Sequence, residues 1–240
     1  MQWEAWAALH EINAGSLGDH LVGAGGVRLK HYALNHYAGL HVSPTSLSHG
    51  VRQLEELGYL RREVPYGEDE KRSKKALYRL SDPFLRLWFR AVAPHRGALR
   101  TASGPIRVQF LERVWSGLRA EAWEDVCRLA IPYLGLFDSV WRPAGRFWRA
   151  HNSEWDVVIL GECKSLSRPT TRTDFEKMIR SVMGKTTPRG IGGPNARMEF
   201  VIFVPEIAMP DDVTGIHKLS PGLTVVDGRR VFRALDNQIV

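Results

Sequence analysis

The segment from Ser43 to Leu80 constrains the fold of this chain most, because it passes from helical to strand periodicity through a single glycine. Ser43 can cap a helix whose first position is Pro44. Leu47, Val51, Leu54 and Leu57 then recur every three or four residues, an apolar stripe for packing. Gly58 ends it. Tyr59 to Val64 alternates, Pro65 to Ser73 is polar, and Lys74 to Leu80 alternates again, as paired strands do. Upstream, Leu29, Tyr32, Ala33 and His36 have helical spacing over 27–37, and Trp3, Trp6 and Leu9 suggest a short helix before that. A helix, a turn, a second helix and a basic two-stranded wing predict a winged helix-turn-helix within 1–96. In that arrangement the outward side of the second helix, carrying Thr45, Ser46, Ser48, His49 and Arg52, enters the major groove of DNA. Lys71, Arg72, Lys74 and Lys75 meet phosphates, which position a protein without reading sequence. The competing expectation is a module that dimerises or packs on a neighbour, since Glu55, Glu56, Glu68, Asp69 and Glu70 dilute the basic patch.

Charge agrees with a polyanionic partner. Lysine and arginine number 33 against 26 acids, a net +7 with pI near 9.6, although many ordinary soluble proteins are equally basic. Cys127 and Cys163 have no paired spacing, so neither a disulfide framework nor structural zinc is implied, and a reducing cytoplasm is expected. No apolar run approaches the ~18 residues of a membrane span, and the first ten residues lack the form of a secretion signal. Gly23 to Gly26 lacks the Lys-Ser/Thr of a phosphate loop, so no nucleotide site is expected.

Pro94 to Pro105 is the natural boundary, with a second domain over 106–240. Helical spacing follows over 106–130, including Phe110, Val114, Trp123 and Val126. Short strands are expected over 136–141 and 145–149, and a helix over 168–184 with Asp174 near its start and Phe175, Met178, Ile179 and Val182 inward. Lys177, Arg180 and Lys185 on that helix line a substrate or are ordinary solvated charge. The apolar runs at 199–204 and 223–226 read as buried strands. The whole is an α/β, overall α+β, architecture with a mixed sheet in its second domain.

The chemistry lies in Glu154 to Lys164. Glu162 and Lys164 are two apart, so a strand carries both on one face. Asp156 has the same parity, but six residues of strand span roughly 20 Å, so Asp156 and Glu162 share a metal only if the chain turns back between them. Val157 to Leu160 offers no turn-forming residue.

Tyr78 to Arg90 (YRLSDPFLRLWFR), with the wing before it and the Glu-x-Lys after it, resembles the C-terminal part of the archaeal-type ATPase family. There a P-loop ATPase is followed by a winged helix and a restriction-endonuclease-like domain. The likeness covers roughly residues 30–205. No GxxxxGK[ST] occurs, so no ATPase activity is expected from this chain and a partner ATPase would act in trans. The resemblance implies phosphodiester hydrolysis on DNA with Mg²⁺ or Mn²⁺ held by Asp156 and Glu162, and Lys164 beside the nucleophile. It also places Glu124, following Trp123, as a further metal ligand or support; a plain surface acid is the alternative. The family separates its Asp from Glu-x-Lys by a longer hairpin than this chain has. The rival expectations are a non-catalytic module that binds DNA or protein, and a transcriptional regulator.

Overall fold

In a computed structural model, residues 51–73, 76–136, 144–147, 161–185, 200–211, 213, 216 and 222–238 are described. The fold is mixed α and β, and its contacts divide the chain into two compact units, one of residues up to 64 and 69–118, the other of 65–68 and 119–240. The expected helices over 3–13 and 27–37 lie outside the described residues.

In the first unit, helix α1 (51–56) buries Val51 and Leu54. Gly58 closes it in the left-handed region, with φ of 76°. The Gly58 N–H donates to Glu55 O and the Tyr59 N–H to Leu54 O, each at 2.9 Å, the paired bonds of a Schellman stop. Leu57, expected in the apolar stripe, lies beyond the last helical turn and is exposed. Strands β1 (Leu60–Glu63) and β2 (Leu77–Leu80) pair antiparallel with Leu60 opposite Leu80. These two leucines join Val51, Leu54 and Phe89 in one core.

Asp82 caps α2 (Pro83–Leu87), accepting from the Phe84 N–H at 2.6 Å, with proline at the first position. Arg86 is buried, and donates from Nε to Leu80 O and from Nη2 to Ser81 O, both at 2.9 Å. It thereby answers the carbonyls at the end of β2. A wider turn over Trp88–Val92 carries Phe89 and Ala91 inward, while Phe84 stays exposed. Helices α3 (Arg96–Thr101) and α4 (Gly104–Ala130) follow; α4 divides between the units after Leu118.

The second unit is a parallel sheet between helices. Strands β3 (Gly161–Cys163), β4 (Phe200–Val204) and β5 (Leu223–Asp227) lie in the order β3-β4-β5. Both pairings are parallel. The sheet expected to be mixed is thus parallel over its described strands; residues 137–143 and 148–160, where further strands were expected, lie outside them. Alternation along β4 sends Val201 and Phe203 to one core with Trp123, Cys127, Val226 and Val231, and Ile202 and Val204 to another with Phe175, Met178 and Val182. Two buried faces explain the unbroken apolar run of β4.

Helix α5 (Arg172–Met183) starts four residues later than its periodicity suggests. Thr170 is held in a parallel bridge to Ile207, and Thr171 with Asp174 forms a capping box. Helix α6 (Gly228–Asp236) is capped by Asp227, which accepts from the Arg230 N–H at 2.9 Å. Pro65–Glu68 belongs to this unit, where the Tyr66 N–H donates to Arg146 O at 2.8 Å.

Candidate functional site

In the first unit the described part of the expected DNA face is Arg52, Lys71 and Arg72; Thr45, Ser46, Ser48, His49, Lys74 and Lys75 lie outside the described residues. Arg52 is exposed on α1. Partial burial pushes the carboxyl of Glu55, on the same helix, up from its ordinary value, against the pull of Arg62 and Arg52. The loop after β1 owes its shape to Asp69. Its Oδ1 accepts from the backbone N–H groups of Lys71 at 2.8 Å and Arg72 at 2.9 Å. Ser73 N–H closes the turn on Asp69 O at 2.9 Å. Arg62 braces the same loop from β1, donating to Glu70 O and to Ser73 O. The outcome is a hydrogen-bonded turn with exposed Lys71 and Arg72 side chains.

The acids that dilute this patch by count are partly spent. Asp69 holds the turn; a further acid outside that group, Glu63 on β1, is paired to Arg61 at 2.8 Å and lies 3.8 Å from buried Arg79. Glu68 and Glu70 adjoin Lys71 and Arg72 in the sequence, so the segment is mixed in charge.

In the second unit, Glu162 occupies a backbone register position on β3 opposite Ile202. Lys164 follows the strand, half-buried, with its N–H donating to Phe203 O at 2.9 Å. The strand therefore carries the Glu-x-Lys spacing out to its C-terminal end, where ligands of parallel sheets collect. Asp156, and with it the question of whether 157–160 turns back, lies outside the described residues. Lys177 and Arg180 are exposed on α5.

Glu124 is described, and its surroundings are cationic. Oε2 lies 3.2 Å from Nη1 of Arg146 and 3.8 Å from Nη1 of Arg128, both arginines being buried. Arg128 also pairs with Asp125. Both guanidinium groups gather at Oε2, so Glu124 stands in an ion-pair cluster with Arg128 and Arg146. The neighbouring Trp123 is buried, with Nε1 3.5 Å from Phe203 O. Among the described residues no three His, Cys, Asp or Glu side chains converge as a metal site. Arg128 was legible as a partner four residues after Glu124; Arg146, 22 residues away, carried no local signal.

At the start of α5, Asp174 accepts from Thr171 N–H at 3.0 Å, Thr171 Oγ1 at 2.6 Å and Arg168 Nη1 at 2.6 Å. The hydrogen bond from Arg168, then those from Thr171, hold its carboxyl well below the usual range. This acid is a cap, already saturated.

Among the described residues no helix is long and apolar enough to cross a membrane. No family model matches the chain, nor does any curated protein or solved structure.

Proposed function

We propose that this protein binds DNA through a winged helix-turn-helix and carries a restriction-endonuclease-like domain that cleaves phosphodiesters, the arrangement found C-terminal to the P-loop module in the archaeal-type ATPase family. The observation that carries the binding reading is the Asp69-organised turn, which offers Lys71 and Arg72 to solvent at the end of an antiparallel ribbon directly after a helix bearing exposed Arg52. Phosphates are the natural partner of such a turn. For cleavage, support comes from Glu162 and Lys164 at the C-terminal end of β3 in a parallel sheet packed on both faces. A Mg²⁺ or Mn²⁺ ion held by Asp156 and Glu162 would supply Lewis-acid activation of water. Lys164 would stabilise negative charge building on the phosphate, and its half-buried position strengthens that attraction. Glu124, paired with Arg128 and Arg146, is left out of the proposed ligand set.

One observation favours a second reading, a DNA- or protein-binding module whose nuclease fold has lost activity. Arg128 and Arg146 gather at Glu124, the residue that the family likeness suggests as a further metal ligand.

The deciding experiment offers duplex, single-stranded and branched DNA to the protein with Mg²⁺ or Mn²⁺, against Glu162→Ala and Lys164→Ala. Cleavage by the parent and loss in both folded variants supports the nuclease. Binding without cleavage establishes the second reading. In either case Lys71→Ala/Arg72→Ala lowers the salt slope of binding by about 1–2; an unchanged slope removes the wing from the interface.

A further inference from the structure

We infer that α3 and the start of α4 hold a nucleic-acid backbone through Arg96, Arg100 and Arg107, a contact additional to the wing. The inference rests on the DNA-binding reading of the first unit and is independent of cleavage. From Pro83 to Leu111 the chain has five arginines and no acid, whereas the loop after β1 sets Glu68, Asp69 and Glu70 beside Lys71 and Arg72. Two of the five are withdrawn from solvent: Arg86 is buried on the carbonyls after β2, and Arg90 is half-buried. The other three are exposed.

Helical geometry sets Arg96 and Arg100 on one side of α3, four residues and about 6 Å of rise apart. Among the described residues neither has an acidic partner. Like charges at that spacing repel, and a helix of six residues has little stability of its own to offset the repulsion. Arg107 joins the pair because its Nε donates to Ala102 O at 3.0 Å. Ala102 is the C-cap of α3, so this bond brings the Arg107 head group to the end of that helix. Its two Nη groups keep their donors for another acceptor. Arg113, in contrast, is engaged over the Phe110 ring at 5.3 Å.

The chemistry of this row selects its partner. All three side chains are arginines, whose planar forks match phosphate oxygens in pairs. A protein partner needs an apolar anchor. The remaining positions of α3 are Gly97, Ala98, Leu99 and Thr101, and the one large apolar residue among them, Leu99, is half-buried. The rise from Arg96 to Arg100 is close to that of two nucleotides at about 3.4 Å each. Successive phosphates of one strand therefore relieve the repulsion that the helix carries alone.

The test follows binding of a labelled DNA duplex to the full chain by fluorescence anisotropy from about 50 to 200 mM salt. It compares Arg96→Ala/Arg100→Ala with the wing variant Lys71→Ala/Arg72→Ala and with Arg229→Ala/Arg233→Ala, a matched pair of exposed arginines four apart on α6. Alanine favours helix, so the α3 variant keeps its circular dichroism. Its salt slope is expected to fall by about 2, at roughly 0.9 per phosphate, and by about 3 when Arg107→Ala is added. The α6 variant is expected to keep the parent slope. Arg96→Lys/Arg100→Lys should also keep the slope, with weaker binding, because it retains charge and loses the forks. An unchanged slope in the α3 variant, while the wing variant still lowers it, overturns this inference alone. An equal fall in the α6 variant overturns it too, since net charge then accounts for both. So does a variant that loses binding to phosphatidylserine vesicles and keeps its binding to DNA. A parent chain that binds no DNA overturns the DNA-binding reading and this inference with it.

Discussion

Replacing Gly228 by alanine tests the packing of the second unit at a point of close backbone approach. A Cβ added there would stand 2.4 Å from Pro205 O and 3.3 Å from Pro205 C, both backbone atoms that no rotamer change can move. Relief requires the start of α6 to withdraw from the end of β4 by about 1 Å, the difference between that contact and ordinary van der Waals separation. The Gly228 N–H donates to the same Pro205 oxygen at 3.1 Å, so withdrawal breaks this bond too. The bond contributes about 1 kcal/mol, and overpacking a close-packed site costs about 1–3 kcal/mol. Together Gly228→Ala should destabilise the unit by about 2–4 kcal/mol. With a urea m-value of about 2 kcal/mol/M, the midpoint falls by about 1–2 M. Far-UV circular dichroism against urea measures it. Gly117→Ala is the control: it lies inside α4 with nothing within 4 Å of its added Cβ, so alanine should stabilise by about 0.5–1 kcal/mol. A loss under about 1 kcal/mol in Gly228→Ala, on the scale of an ordinary surface change, would refute the close approach of α6 to Pro205.

Arg86→Met should destabilise the first unit by about 2–4 kcal/mol, since it strands the Leu80 and Ser81 carbonyls that the buried guanidinium answers; a thermal melt within a degree or two of the parent would contradict this. Asp174→Asn should cost about 1 kcal/mol, chiefly through the cap, because the ion pair to exposed Arg168 is screened by solvent. Asp174 titrates lower folded than unfolded, so its contribution is complete above the unfolded value near pH 4 and is lost as pH falls through the lower folded one. Stability measured below about pH 4 should therefore decline less steeply in Asp174→Asn than in the parent.

What was legible in the sequence was local. Gly58 announces the stop of α1 because only a glycine-like φ allows the Schellman bonds, and the unbroken Phe200–Val204 run announces a strand buried on both faces. The start of α5 was misplaced because Thr170 is held by Ile207, 37 residues away, and periodicity cannot see a bridge of that span. Arg86 carries a charge and by residue type belongs outside; its burial follows from two carbonyls at the end of β2. Glu124 shows the same limit at the candidate site. Its type and spacing allow a metal ligand, and only the approach of Arg146 from a distant segment decides what it faces.

The parallel sheet also sets the order in which the second unit can come into being. Its described strands start at residues 161, 200 and 223, so no two of these can meet through a short hairpin. Each pairing waits on closure of a long crossover, which slows folding relative to a meander of equal size. On the ribosome, Val201 and Phe203 emerge before the Val226, Val231 and Ala234 that cover them. Until they arrive, the part of this core that β5 and α6 complete stays open to solvent, which raises the aggregation risk of the nascent unit.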